Sequence, residues 1–213
     1  MIRPDWIADN LGVIADGLID HLVLTVLAVW LGLAISLGAA LLVRRLGFMR
    51  GPVTATFGIL YTIPSLALFA FLVPFTGLTL VTAEIGLISY TLLILTRNIL
   101  AGLDGIPVEV RESADGMGYS GRQRLLGVEL PLAMPVIMTG LRVATVTTVG
   151  LVMVTAVIGE GGLGQLMLRG FNRQFPTMIY VGFVLTILVA LVLDVVLQLV
   201  QRLLTPWSRR SAA

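Results

Sequence analysis

The sequence predicts an all-α membrane protein with about five transmembrane helices, and three observations carry this prediction. Of the 213 residues, 57% are hydrophobic and 12% are charged, about half the charged share of typical soluble domains. The mean hydropathy is +1.00. Leu22–Val43 is a run of 22 residues without an ionisable side chain, which as a helix is about 33 Å long and matches the hydrocarbon core of a bilayer.

Five spans fit the hydropathy of the chain. We expect them at Leu22–Val43, Val53–Phe75, Ala83–Thr96, Leu132–Gly159 and Thr177–Leu193. The third span is short unless it continues past Arg97. Pro131 and Pro135 predict a bent entry into the fourth span, because proline disrupts a helix interior. No internal repeat or second domain is visible.

The arginines predict the direction of the spans, because cytoplasmic loops of membrane proteins carry an excess of basic residues. With the N-terminus outside and the C-terminus in the cytoplasm, ten arginines are cytoplasmic and three are outside, while Arg142 lies inside the fourth span. The cytoplasmic ones are Arg44, Arg45, Arg50, Arg97, Arg111, Arg122, Arg124, Arg202, Arg209 and Arg210, and the outer ones are Arg3, Arg169 and Arg173. Four aspartates precede the first span, which argues against a cleaved signal peptide.

Between the third and fourth spans lies a polar segment of 28 residues, Asp104–Pro131. Connections between packed helices usually have only a few residues, so this segment is more than a simple connector. Pro107 suits the first turn of a short helix, because the N–H that it lacks has no intrahelical partner there. Gly116 and Gly118 then interrupt that helix, which we expect to end near Asp115.

A second short helix is expected after the glycines. Ser120 with Gln123 three residues later is a capping-box pattern, which predicts a helix from Gly121 to Val128. Pro131 is expected to end that helix and to start the next span. Two short helices joined at a glycine bend make a compact knob that a soluble partner could grip. A plain solvated loop is the alternative.

The same segment carries a recognisable motif. Glu112-Ser113-Ala114 is followed by three residues and Gly118, then by nine residues, Val128, one residue and Leu130-Pro131. This pattern resembles the cytoplasmic signature of the inner-membrane permease subunits of binding-protein-dependent ABC importers. That signature reads Glu-Ala-Ala, three residues, Gly, nine residues, Ile, one residue, Leu-Pro. The spacing agrees at every position, and Ser for Ala and Val for Ile preserve size and character.

The resemblance implies a type I ABC importer permease core in the cell (inner) membrane, in contact with lipid. In that family the segment is the coupling helix, which sits in a cleft of the ATP-binding subunit. The residues that would contact this subunit are Glu112, Ser113, Ala114, Asp115, Met117 and Gly118, with Arg111 beside them. The implied partners are two ATP-binding subunits, which carry ATP and magnesium, a second permease subunit, identical or homologous, and an extracytoplasmic substrate-binding protein. No cofactor is expected in this chain.

On this interpretation the chain divides into an outer N-terminal segment, 1–21, a transmembrane permease domain, 22–203, with the coupling segment 104–131, and a cytoplasmic tail, 204–213. Two further stretches, Tyr61–Phe69 and Ile158–Gly164, resemble permeases that import glycine betaine, choline or carnitine. Methionine-type permeases share the Gly-Gly-Leu-Gly part and stay the alternative. Because aromatic faces bind ammonium groups best and only 7% of the residues are aromatic, the high-affinity cage is expected in the binding protein.

Hydroxyl groups inside the spans are candidates for the translocation path. Thr145, Thr148 and Thr155 fall on one face of the fourth span, and Tyr61 and Ser65 are one turn apart in the second. Such groups either line a water-filled path or bond to the backbone of their own helix, and the sequence leaves both open.

Two charged residues, Asp194 and Arg142, come nearest to the membrane interior. We expect helix packing rather than a proton relay for Asp194, because no second intramembrane carboxylate accompanies it. His21 borders the first span and is interpreted as a membrane-interface residue.

Several classes of function are disfavoured. Gly159, Gly161 and Gly164 satisfy the dinucleotide-binding pattern, but a membrane span rather than a strand precedes them, so we expect a flexible outer loop around Gly159, Gly161, Gly162 and Gly164. With no lysine the chain has no ATP-binding phosphate loop, and hydrolysis is expected on another subunit. One histidine and no cysteine offer no metal cluster, and a net charge of +2 does not indicate nucleic acid. An intramembrane enzyme or a secondary transporter are the distant alternatives.

Overall fold

The computed structural model describes residues 2–209, and within that range the chain is helical and has no β-strand. The helices are α1 Pro4–Asp9, α2 Leu11–Arg45, α3 Arg50–Thr62, α4 Ser65–Thr76, α5 Leu80–Asp104, α6 Val108–Gly116, α7 Gly121–Arg124, α8 Leu130–Val152, α9 Leu163–Asn172 and α10 Pro176–Leu204. Arg210, counted among the cytoplasmic arginines, lies outside the described residues.

The structure confirms about five spans, with different bounds. Four helical segments are long and apolar enough to cross a membrane, namely Leu11–Arg45, Leu80–Asp104, Gly121–Ile158 and Pro176–Leu204. The pair α3 and α4 makes a fifth crossing if it counts as one broken span. Helix α2 begins at Leu11, well before the predicted start at Leu22. Its early aspartates lie on exposed positions, so they do not end the helix.

The second span is not the continuous helix predicted at Val53–Phe75. Helices α3 and α4 meet at Ile63-Pro64 and are bent by 98°. Pro64 has no N–H and forces the preceding residue out of helical geometry, and Ile63 is indeed extended with ψ of 128°. The Tyr90 hydroxyl on α5 donates to the Ile63 carbonyl, so this break in the backbone has a hydrogen-bond partner inside the membrane.

Pro131 does not end the helix before it, contrary to the sequence-based prediction. The chain stays helical from Gly121 to Ile158. Five residues just before Pro131, Leu125–Glu129, form a wider π-helical turn. The wider turn shifts the carbonyls that a proline ring would otherwise meet in a regular α-helix, and the helix passes through.

The core lies between α2, α5 and α8. Its buried side chains include Val43 from α2, Leu95 and Ile99 from α5, and Ile137 and Leu141 from α8. Small residues let these helices approach closely, since a Cβ added at Gly32 would lie 1.9 Å from Thr91 Oγ1. Helix α10 packs on α8 and α9, yet only 6% of its most apolar stretch is buried. Most of α10 therefore faces lipid or another chain.

Candidate functional site

The predicted coupling segment forms a protruding structure, here called the coupling knob and defined as Val108–Ser120. Its positions Glu112, Ser113, Asp115, Met117 and Gly118 are exposed, and Met117 is 68% exposed. Ala114 differs from them, because it is buried, with only 1% exposed. The candidate contact residues therefore lie together on a free surface, with Ala114 as the buried exception.

The knob has the glycine bend that the sequence predicts. Helix α6 ends in two bonds that close a left-handed turn, from Gly118 N–H to Asp115 O at 2.9 Å and from Tyr119 N–H to Ala114 O at 3.1 Å. Gly118 has φ of +82°, which side chains disfavour and glycine tolerates. The Ser120–Gln123 capping box then starts α7. The two predicted short helices and the bend between them are present.

A carboxylate that the sequence analysis missed ties the knob to the spans. Glu129, at the end of the π-helical turn, is 1% exposed and is surrounded by three arginines. Arg44 from the end of α2 pairs with it, Arg124 Nε donates to its Oε1 at 3.0 Å, and Arg111 Nε of α6 lies 3.8 Å from the same oxygen. One buried charge thus joins α2, α6, α7 and the start of α8.

Two further contacts hold the knob in place. Arg111 Nη2 donates to the Leu103 carbonyl at 2.6 Å, which attaches α6 to the end of α5. Arg124 also pairs with Asp115, with one N–O distance of 2.6 Å, and so links both short helices. The knob is therefore in contact with α2, α5 and the start of α8. The sequence signal for this ionic network was an acidic residue at the variable position of the motif, between Val128 and Leu130.

The threonines proposed for the path are buried inside this chain. Thr145, Thr148 and Thr155 are 5%, 1% and 0% exposed. Each hydroxyl donates to a carbonyl of the preceding turn at 2.8 Å. Thr155 lies in the 3-10 turn Val154–Ile158 beyond α8. Of the two alternatives, the structure shows the one in which each hydroxyl bonds to the backbone of its own helix. A role of these threonines in the translocation path stays a prediction.

Tyr61 and Ser65 are not one turn apart on a single helix, as the sequence suggested. They flank the break at Ile63-Pro64, with Tyr61 near the end of α3 and Ser65 at the start of α4. The Tyr61 ring packs edge-on against Tyr90, with centroids 6.0 Å apart. Tyr61 is 39% exposed. The stretch Tyr61–Phe69 is therefore the broken part of the second span.

The glycine-rich stretch is a tightly packed turn. The prediction of a flexible loop there is therefore wrong. Gly159, Gly161 and Gly162 have positive φ, and Gly164, in the first turn of α9, packs tightly on the preceding turn. A Cβ at Gly162 would lie 2.5 Å from the backbone nitrogen of His21 on α2. The turn is thus held against the N-terminal half of α2, and beside it an open cleft of about 340 Å³ is lined partly by Asp16, Asp20 and Glu160.

His21, which the sequence analysis interprets as a membrane-interface residue, is buried between helices. It is 0% exposed, and its Nε2 lies 3.1 Å from the Val149 carbonyl on α8, at hydrogen-bond distance. Helix α2 begins at Leu11, well before His21, and His21 is enclosed by contacts with Val149 of α8 and with the turn at Gly162.

Charged groups inside the spans are more numerous than predicted. Arg142 on α8 and Asp194 on α10 form an ion pair, which agrees with the expected packing role of Asp194. Glu84, one turn into α5, is a second intramembrane carboxylate, so the expectation that none accompanies Asp194 is wrong. It is 8% exposed, and neither oxygen has a hydrogen-bond partner within residues 2–209.

No group of three or more histidine and acidic side chains that could hold a metal is found in the described part of the chain.

The sequence profile described as "Binding-protein-dependent transport system inner membrane component" matches residues 24–210. The chain belongs to this family of multi-pass inner-membrane permease components.

Among individual relatives, it is 37% identical over 206 residues to "Osmoprotectant import permease protein OsmW" of Salmonella typhimurium, which covers 94% of this chain and 96% of the relative. It is 34% identical over 187 residues to "Glycine betaine/carnitine/choline transport system permease protein OpuCB" of Bacillus subtilis, with coverage of 88% and 86%. A chain of the inward-facing MetNI methionine ABC transporter matches with a TM-score of 0.80, covering 92% of this chain and 97% of that one, at 22% identity. This last likeness concerns the fold alone, and it confirms the predicted importer permease fold.

Proposed function

We propose that this chain is the membrane-spanning permease subunit of an ATP-driven importer for osmoprotectant quaternary amines such as glycine betaine, choline and carnitine. The relatives with the names given above cover most of the chain at more than 30% identity, which supports the substrate class. Methionine transport has support only at the level of the fold, because the MetNI match is 22% identical.

The coupling knob is the proposed docking element for a separate ATP-binding subunit, which would carry ATP and magnesium. The observation that carries this proposal is the combination of an exposed tip with a buried ionic anchor. Glu112 and Met117 are free to contact a partner, while Glu129 fixes the knob to α2 and α8. A solvated connector would not need a buried carboxylate shared by three arginines.

The proposed cycle uses this rigid link. Closure of two ATP-binding subunits would displace the knobs of two permease subunits, and the Glu129 network would pass the movement to α2, α5 and α8. The path would lie between the two permeases, with the broken span at Tyr61 and Ser65 able to change shape. A binding protein would deliver substrate at the outer face.

Reconstitution in proteoliposomes tests the proposal. The chain, its ATP-binding subunit and its binding protein are assembled with ATP inside the vesicles, and uptake of labelled glycine betaine, choline, carnitine and methionine is measured. We expect uptake of at least one quaternary amine only with ATP and binding protein present. Glu112→Lys should abolish it without loss of membrane insertion. Methionine uptake without any osmolyte uptake would reject the substrate class, and uptake that does not need ATP would reject the mechanism.

A further inference from the structure

A bidentate ion pair connects two spans deep in the membrane. Arg142 Nε and Nη2 donate to Asp194 Oδ1 and Oδ2, each at 2.8 Å. Arg142 lies twelve residues after the start of α8 and ten before its end, which places it about 15–18 Å from either end of the helix. The pair therefore lies within two segments that are long and apolar enough to cross a membrane, away from the ends of α8.

This pair is on the surface of the chain and not in its core. The Arg142 and Asp194 side chains are 27% and 32% exposed. Ionised side chains inside a membrane face a water-filled cavity or another part of the protein, because exposure to lipid tails is costly. The surface that carries the pair is therefore covered by water or by a second permease subunit when the transporter is assembled.

An open cleft of about 430 Å³ surrounds the pair, a volume in the range of small-molecule sites. Its lining is Thr139, Arg142, Val143, Val146, Thr147 and Asp194. The α8 members recur every three or four residues, so they form one stripe along the helix. Gly150 continues the stripe, and an added Cβ there would meet nothing within 4 Å. The hydroxyls of Thr145 and Thr148 are buried away from this stripe.

We propose that this cleft is a transient binding site on the translocation path for a zwitterionic quaternary amine, with Arg142 facing its carboxylate and Asp194 facing its ammonium group. The inference rests on the proposed transport of osmoprotectants and extends it to a site in the permease itself. A planar guanidinium binds a carboxylate in a two-point geometry. A quaternary ammonium has no N–H to donate, so its attraction to Asp194 is electrostatic alone.

The charges of the pair explain how one site is stable both empty and occupied. In the empty site Arg142 and Asp194 neutralise each other. When a zwitterion enters between them, Arg142 exchanges the carboxylate of Asp194 for the carboxylate of the zwitterion. Asp194 in turn exchanges the guanidinium of Arg142 for the ammonium group of the zwitterion. The total charge in the membrane stays at zero in both states, which favours easy entry and easy release.

Cysteine accessibility tests the location of the path. The native chain has no cysteine, so Thr139→Cys and Thr147→Cys are introduced singly into the assembled complex, with Thr148→Cys as a matched buried control on the same helix. The probe is a membrane-impermeant thiosulfonate that carries a trimethylammonium group. We expect the two stripe variants to react at least roughly tenfold faster than the control, because the control side chain is buried. Equal, slow reaction of all three would overturn the proposal.

Substrate selectivity tests the roles of the charges. Arg142→Gln should lower glycine betaine uptake roughly tenfold or more, because a charge-assisted bidentate contact is lost. Choline has no carboxylate and should be affected much less, and Arg142→Lys should restore part of the glycine betaine uptake. If uptake of both solutes fell by the same factor, in step with the amount of assembled complex, the pair would have a packing role only. That result would reject the site. A wild-type complex that takes up neither solute would instead reject the proposed function.

Discussion

Replacing Glu129 by glutamine is the sharpest perturbation of the link between knob and spans. The substitution keeps the size of the side chain and removes a buried charge that Arg44, Arg111 and Arg124 share. Loss of one partner from a buried ion pair costs about 3–5 kcal/mol. The arginines here are 23–28% exposed, so solvent screens part of the loss. We therefore expect Glu129→Gln to weaken the attachment of the knob to the spans by about 2 kcal/mol. This raises the population of the detached knob roughly thirtyfold.

Two measurements follow from that value. Amide hydrogen exchange of Val108–Gly116 should accelerate roughly thirtyfold, since exchange reports local opening. In proteoliposomes the amount of glycine betaine taken up per ATP hydrolysed should fall, because the ATP-binding subunits still close while the movement is not transmitted. Asp104→Asn is the matched control. Its pair with Arg50 is 41–57% exposed, so less than about 1 kcal/mol is at stake and uptake should be unchanged.

The reasoning would be refuted by a Glu129→Gln complex with wild-type exchange in α6 and wild-type uptake per ATP. An equal defect in the Asp104→Asn control would refute it as well, because the effect would then come from net charge and not from the buried network.

Three further predictions concern single positions. Gly118→Ala should destabilise the bend by about 1–2 kcal/mol and reduce uptake, because Gly118 has φ of +82°. Gly116→Ala, in the last turn of α6, should be neutral or stabilising. Equal uptake by the two variants would contradict this prediction. Gly162→Ala should lower the melting temperature of the complex, because its Cβ would lie 2.5 Å from a backbone nitrogen of α2. Met117→Cys should react with an impermeant thiol reagent only from the cytoplasmic side and Asn172→Cys only from outside, and the reverse pattern would overturn the predicted orientation.

Local chemistry made the coupling segment predictable from sequence. The capping box at Ser120 and the glycine at position 118 act within a few residues of chain, and the structure has the helix start and the bend where they were expected. The number of spans was predictable for a similar reason, because hydropathy depends only on which residues follow one another. The bounds of the spans were less predictable, because the helix continues through the aspartates before Leu22, which lie on its exposed side.

Which side of a span is covered by its neighbours could not be predicted from spacing. Thr139 and Thr147 lie on α8 close in sequence to Thr145 and Thr148, yet the first two line a cleft and the others are buried. In a membrane all faces of a span are largely apolar, so hydropathy does not separate a packed face from a free one. Contacts distant in sequence, such as Arg44 with Glu129 or His21 with Val149, were equally beyond a local pattern.

The most direct test of the central claim is a photo-crosslink from the tip of the coupling knob. A photoreactive amino acid replaces Met117, which is 68% exposed, and Phe171, 74% exposed, serves as the control in α9. We predict that the assembled complex yields a crosslink to the ATP-binding subunit from position 117 and none from position 171, with a yield that changes when ATP is bound. A fully assembled, transporting complex with no crosslink from position 117 would contradict the claim that the knob is where the ATP-binding subunit acts on this permease.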